Sequence, residues 1–394
     1  MRTAPSCRPK NHAPALAGKA VGSKTMAQEF RNVQGGEVGA MRWDHTRVLV
    51  TGGASFIGSA LVDALVERGA RVRVIDNLSS GKLENLRQHL KFCDIEFQQN
   101  DLLEPSVVRQ AVAGMDIVFH LAADHGGRGY VSRHQADCAG NLILDGQVFR
   151  ACARAGVRKV VYASSGCVYP TYLQIDPHQV VRLSEDKAGP PFDADNMYGW
   201  ANVMAEQTLQ AYHREFGLRS VSCRYFTVYG ERAREQHSMI AMIARAFLKQ
   251  DPFVVWGNGE QVRDWTYVAD IVDGTIRAAE LVDDAACINL GTTEGTRVLA
   301  AAEEILRYSG HQARIELHPE MPTGPMNRVA DTRLARERLG WEPRVKFIDG
   351  LHRTMDWYFR TKRRDQVEAI LGQATSGRVS RVCPETNDAA ATVN

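Results

Sequence analysis

The segment Arg47 to Gly58, RVLVTGGASFIG, constrains the chain more than any other stretch. An aliphatic run, Val48-Leu49-Val50, ends in a Thr-Gly-Gly turn and leads into a helical pattern with Ile57, Leu61 and Leu65 on one face. Gly52 and Gly53 permit a tight turn, and Gly58 lets the helix pack closely on the sheet. A helix that begins at Ser55-Phe56-Ile57 aims free amides and the positive end of its dipole at the space before it, which suits a pyrophosphate. Ser59 rather than Lys follows Gly58, so this is not the lysine-bearing phosphate loop. Asp76 closes the next strand, Val72-Arg73-Val74-Ile75, eighteen positions after Gly58. A carboxylate there accepts the adenosine ribose hydroxyls and repels a 2′-phosphate, so the pair of features predicts a dinucleotide site that takes NAD rather than NADP.

Strands and helix-length segments keep alternating after this unit. Ile95-Glu96-Phe97, Ile117-Val118-Phe119 and Val160-Val161-Tyr162 come in turn. The expected class is α/β, with residues 46–230 forming a Rossmann-type doubly wound parallel sheet covered on both faces. From about Glu231 the pattern loosens, with helical periodicity near 238–249, 268–282, 297–308 and 347–360. Residues 231–360 are therefore expected to form a smaller, partly interleaved α+β substrate domain. Residues 1–45, with no acidic residue before Glu29, are expected to be a disordered extension, and 361–394 a tail with a short helix and otherwise disordered.

Composition excludes several classes. Lys plus Arg number 48 against 46 Asp plus Glu, which argues against a nucleic-acid partner. No stretch reaches the ~20 apolar residues of a membrane span. The eight cysteines are scattered, without a Cys-x-x-Cys pair, and no His-Glu-x-x-His occurs, so no metal site is expected and reduced thiols of a cytoplasmic protein fit best.

Taken in order, these motifs resemble the extended short-chain dehydrogenases/reductases that act on nucleotide sugars, the NAD-dependent epimerases and dehydratases, over about residues 46–360. The family turn, TGxxGxxG, runs here from Thr51 to Gly58, with Ser55 in place of the middle Gly at some expected steric cost. The resemblance implies that Asp76-Asn77 meets the ribose, that Asp101-Leu102 lies beside the adenine, and that Leu121-Ala122-Ala123 lies under the cofactor. It also implies that Arg263, in Gly257–Asp264, and Arg328, ahead of Leu339-Gly340-Trp341, hold the diphosphate of a sugar nucleotide. Guanidinium forks match phosphate oxygens bidentately.

Within the family, Ala122–Gly129 and Ala163–Pro170 resemble the subgroup of 3,5-epimerases that act on GDP-mannose. That resemblance places Gly126 and Gly127 at the sugar and makes Cys167 an acid/base, since oxidation at C4 acidifies the hydrogens on C3 and C5. The subgroup's partner lysine has no counterpart in Glu231–Ser238, and His237 is the candidate for the opposite face because imidazole titrates near neutrality. The family's Tyr-x-x-x-Lys reads Tyr198-Gly199-Trp200-Ala201-Asn202. Tyr198, assisted by Ser165, is expected to take the C4 hydroxyl proton. Asn202 can hydrogen-bond the nicotinamide ribose but brings no charge to lower the Tyr198 pKa, so the activity optimum is expected at higher pH. Two alternatives stand beside 3,5-epimerisation: simple 4-epimerisation with Cys167 as packing, and binding of NAD and a sugar nucleotide without turnover. The resemblance also implies a homodimer, because helices near 137–155 and 197–216 correspond to those through which the family dimerises as a four-helix bundle.

Overall fold

The computed structural model describes residues 42–376 except 177, 178 and 180. The expectations for residues 1–41 and 377–394 therefore lie outside the described residues. Seven parallel strands form the main sheet, in the order Cys287–Leu290, Arg219–Tyr225, Lys159–Ser165, Ile117–His120, Arg47–Thr51, Arg71–Asp76, Ile95–Gln99. Its central strands are apolar on both faces because helices cover both. Val48 and Val50 enter one core with the Phe56–Glu67 and Val268–Leu281 helices, while Leu49 between them enters the other with the Asn141–Ala155 and Asn196–Phe216 helices.

Three expected boundaries need correction. Trp43, assigned to the leading extension, is buried beside Phe119 with ring centroids 6.3 Å apart, and its indole N–H donates to Glu280 at 2.7 Å. The dinucleotide-binding domain is not the contiguous 46–230. The chain leaves the main sheet and returns to add the Cys287–Leu290 strand at its edge, and Trp341 then packs on the same core with its indole donating to the Asp270 carbonyl at 3.1 Å. In exchange, Arg182–Leu183 joins the Thr296–Arg297, Val262–Arg263 and Asn327–Ala330 strands in a four-stranded sheet. Finally, the short helix expected in the tail is Arg364–Ser376, and it belongs to the fold, because its Val367 and Leu371, one turn apart, are buried in the second domain's core.

Two of the candidate site residues, Cys167 and Tyr198, are placed by one close approach. The N-terminus of the Asn196–Phe216 helix abuts the Gly166–Val168 turn, where the Asp195 N–H donates to the Cys167 carbonyl at 2.9 Å. Any Cβ at Gly199 would collide with that same carbonyl oxygen. A Gly→Ala change inside a helix ordinarily adds ~1 kcal/mol of stability. Gly199→Ala is expected to do the reverse, because overpacking against backbone costs about 1–3 kcal/mol. Thermal and urea unfolding should show a lower midpoint than wild type; an equal or higher midpoint would show that the two segments are not held in contact.

Candidate active site

A cavity of about 720 Å³ runs between the two domains. One end is lined by Ser55, Phe56 and Ile57 at the start of the Phe56–Glu67 helix, and by Leu121 and Ala123 at the end of the neighbouring strand. Gly52 sits at φ +68°, and a Cβ there would press on the Ala122 backbone at 3.0 Å. A Cβ at Gly58 would collide with the Gly52 carbonyl. Both glycines are thus required for the cradle a pyrophosphate enters, and the residues present fit a dinucleotide. The steric cost expected at Ser55 is absent, because its φ of −77° suits any residue and its hydroxyl donates to the Gly52 carbonyl at 2.5 Å.

Asp76 ends its strand beside this cradle, where its carboxylate accepts the amides of Ala54 at 3.0 Å and Leu78 at 2.8 Å. Burial pushes its carboxyl upward and those two amides oppose the shift. Asp76 therefore staples the turn beside the cradle. Asn77 donates to Asp101 at 3.2 Å, and Asp101 accepts the Leu103 amide. Leu102 is a correction to the expected set: its side chain is buried in the core under the sheet, leaving its backbone for contact with an adenine.

Tyr198 faces the middle of the cavity on the first turn of its helix, next to Ser165 at the end of the Lys159–Ser165 strand. Burial drives the Tyr198 hydroxyl upward and the Cys167 sulfur adds to this, while hydrogen bonds from Asn202 and Ser165 pull it part of the way back. Asn202 is not free to serve a ribose as expected. It is 2% exposed, its amide nitrogen donates to the Tyr198 carbonyl at 2.8 Å, and its oxygen accepts the Tyr162 hydroxyl at 3.2 Å. Behind it lies a buried polar chain absent from the expected set. Tyr162 also reaches Asp145 at 3.1 Å, Asp145 meets His120 Nε2 at 3.0 Å, and His120 Nδ1 meets the Thr51 hydroxyl at 2.7 Å. The Thr51 hydroxyl oxygen accepts the amides of Leu121 and Ala122, so its proton goes to Nδ1 and His120 carries its own proton on Nε2, toward Asp145. An acid among the core residues Leu144, Val148 and Phe149 of one helix was the available signal.

On the substrate side, Arg263 and Arg328 are neighbours across paired parallel strands, although 65 positions separate them. Among the described residues Arg263 donates only to backbone carbonyls, those of Val262, Thr323 and Met326. Burial, with the Arg328 charge beside it, pulls Arg263 down to about 9, as suits a cation awaiting an anionic ligand. Arg328 departs from the expected diphosphate role. Its guanidinium donates to Gln174 at 2.9 Å, to Asp195 at 2.9 Å and to the Cys167 sulfur at 3.2 Å. Arg128 also binds the Asp195 carboxylate, at 2.8 and 2.9 Å to its two oxygens. Burial opposes the Asp195 charge, but the two guanidiniums outweigh it and hold the carboxyl below its usual range.

Gly126 and Gly127 line the cavity as expected, and Gly127 packs against the Gln236 carbonyl so tightly that no Cβ fits. This contact carries the 231–237 loop, and with it His237, to the cavity wall. His237 does not titrate near neutrality: burial, then the nearby His125 and Arg234, pull it down to about 3. It is a neutral imidazole, able to accept a proton but not to serve as a charged acid. His125, not among the expected residues, lies between the His237 ring and that of Tyr198, 6.4 Å from each. Among the described residues no cluster of side chains suited to a metal ion occurs.

Comparison with known proteins agrees with this geometry. The model of the "NAD dependent epimerase/dehydratase family" matches residues 48–291. GDP-mannose 3,5-epimerase 1 of Oryza sativa subsp. japonica is 29% identical over 345 residues, covering 86% of this chain and 89% of the rice enzyme. UDP-glucose 4-epimerase of Mycolicibacterium smegmatis is 32% identical over 321 residues, covering 80% and 99%. The crystal structure of UDP-glucose 4-epimerase from Thermotoga maritima with UDP-glucose superposes with a TM-score of 0.72 at 30% identity, covering 80% of this chain and 99% of that one.

Asn202→Lys gives the charge balance of this site a direct test. A cation there meets the Tyr162–Asp145 pair, which supplies buried counter-charge, and it favours the tyrosinate form of Tyr198. The alkaline rise of a pH–rate profile, and of tyrosinate absorbance where no substrate turns over, should move to lower pH by about one unit or more. NAD affinity should change little. An unmoved profile would mean that residue 202 does not tune the tyrosine.

Proposed function

This chain belongs to the NAD-dependent epimerase/dehydratase family, and we propose that within it the chain inverts a nucleotide sugar through transient oxidation at C4, with Cys167 as an acid/base in 3,5-epimerisation of a GDP-hexose. The observation that carries this reading is the Arg328 guanidinium 3.2 Å from the Cys167 sulfur, in the cavity that Tyr198 also faces. A cationic donor placed there is complementary to a sulfur anion. Were Cys167 only packing, nothing would require a charged partner.

NAD, when bound, supplies the acceptor for the C4 hydride and gives it back, so no external reductant is consumed. Tyr198 receives the C4 hydroxyl proton, and Ser165 and Asn202 orient that hydroxyl and the phenol. With C4 as a ketone, the C–H bonds at C3 and C5 become acidic. Neutral His237 accepts a proton on one face, and the Cys167 thiol delivers one to the other, leaving a thiolate beside Arg328. Arg263 holds the diphosphate.

Simple 4-epimerisation is the second reading, supported by the 32% identity to a UDP-glucose 4-epimerase over 80% of this chain. A protein that binds without turnover is the third, and Asn202 in place of the family lysine is its support. The Asn141–Ala155 and Asn196–Phe216 helices leave Leu142, Ile143, Trp200 and Met204 exposed, Ile143 to 61%, which supports a homodimer built on them. The six cysteines among the described residues are free thiols, which supports a reducing, cytoplasmic setting.

The test of the chemistry is incubation of the NAD-loaded protein with GDP-mannose in D2O, followed by mass spectrometry of the sugar. Deuterium should enter the ring, and Cys167→Ser should abolish inversion at the deuterated carbon while hydride transfer, read at the nicotinamide absorbance, persists. Recovery of a 4-epimer without deuterium would replace the 3,5 reading by the second. Light scattering gives the test of assembly: Ile143→Glu should convert a dimer to a monomer, and a wild-type monomer would overturn the dimer.

A further inference from the structure

The Ser238–Phe247 helix lines the cavity with Ser238, Ala241, Met242 and Arg245, positions that share one face at three- and four-residue spacing. Arg245 is the anomaly on that face. It is 9% exposed, and its guanidinium has no hydrogen-bond or ion-pair partner among the described residues. Burial alone perturbs it, and in the downward direction. A buried cation without a partner is costly in a folded chain unless a ligand completes it.

Its place along the cavity says which part of a ligand that is. His237, just before the helix, lies at the sugar end, within two ring contacts of Tyr198. Arg245 is eight residues further on, about 12 Å along the axis at ~1.5 Å per residue. With the diphosphate assigned to Arg263, as proposed above, an arginine that far from the sugar end falls to the nucleoside. Apolar walls fit that assignment: Trp256 lines the cavity, and so do Ile370 and Leu371 of the Arg364–Ser376 helix. That C-terminal helix is held there by the buried Val367 and by Arg364, which donates to the Leu248 carbonyl at 2.5 Å.

We propose that Arg245 is a specificity residue for the nucleobase, selecting guanine by donating both arms of its guanidinium to O6 and N7. The inference rests on the nucleotide-sugar reading and adds to it the base and the residue that reads it. Guanine presents two adjacent acceptors on that edge, whereas adenine pairs an acceptor with a donor and uracil offers O4 next to an N–H. A planar fork therefore makes two hydrogen bonds to guanine and one to either rival.

The experiment is calorimetric titration of the NAD-loaded full-length protein with GDP, UDP and ADP, none of which can turn over. Wild type should bind GDP about tenfold or more tightly than the other two. Arg245→Met should bring GDP down to the level of UDP, with UDP and ADP affinities held within about twofold and bound NAD unchanged. Arg245→Lys, which keeps the charge without the fork, should lose the preference as well and guards against a folding defect in the first variant. Equal affinity for GDP and UDP in wild type overturns the inference and leaves the nucleotide-sugar reading standing. So does an equal loss on all three nucleotides in Arg245→Met, which would make Arg245 a phosphate contact. Failure of wild type to bind any of the three overturns both.

Discussion

Asp195 is the junction on which the site depends. It precedes the Asn196–Phe216 helix, its amide holds the Cys167 carbonyl, and its carboxylate holds Arg128 and Arg328. Four segments distant in sequence are thereby fixed at one point. The carboxylate is 3% exposed, and a charge in that position is sustained only by its partners. Its two guanidiniums need it equally, since neither has another carboxylate within ion-pair distance among the described residues. Orientation of the Cys167 sulfur comes from this arrangement. Arg328 can point a nitrogen at the thiol because Asp195 and Gln174 occupy its other two donors.

Charge is distributed unevenly along the cavity as a result. Arg128, Arg234, Arg245, Arg263 and Arg328 all line it, while residue 202, beside Tyr198, is an uncharged amide. A cation would be awkward to dispense with at that point if Tyr198 alone had to ionise. In its place stands a rigid hydrogen-bonded chain from Thr51 through His120, Asp145 and Tyr162 to Asn202. That chain ties the glycine turn to the tyrosine helix beneath the sheet end. It fixes the tyrosine's position without bringing a positive charge to it, so only the hydrogen bonds from Asn202 and Ser165 act against the burial of Tyr198.

The sequence made legible the features that depend on neighbours in the chain. The Thr51–Gly58 turn, the five aliphatic strands up to Tyr162 and the Tyr198 helix arise from local pattern, and each lies where the pattern put it. The features that escaped were set by contacts across long intervals. The return of Cys287–Leu290 to the sheet edge depends on an open edge at Arg219–Tyr225, which no window around residue 287 contains. The pairing of Arg263 with Arg328 was suspected from motif order, but the orientation of Arg328 toward sulfur required Asp195 and Gln174 to be in place. The depressed basicity of His237 arises first from its burial and then from two neighbours, His125 and Arg234. Residues 364–371 looked like a tail because their apolar stripe is short, and it is meaningful only against the second domain's core.

The correction at His237 also determines which way protons move in the proposed reaction. A group with so low an affinity for protons cannot hold one at rest, so it begins each inversion as the base. Cys167 must then begin as the thiol and end as the thiolate, which is the state that Arg328 complements. One inversion leaves His237 with a proton too many and Cys167 with one too few. No side chain is needed to carry the proton back across the sugar, because an imidazolium beside Arg234 and His125 surrenders its proton readily to water. The burial and the Arg234 charge that make His237 a reluctant base thus make it quick to reset, and in the proposed reaction the hydrogen delivered to carbon comes from solvent through the cysteine.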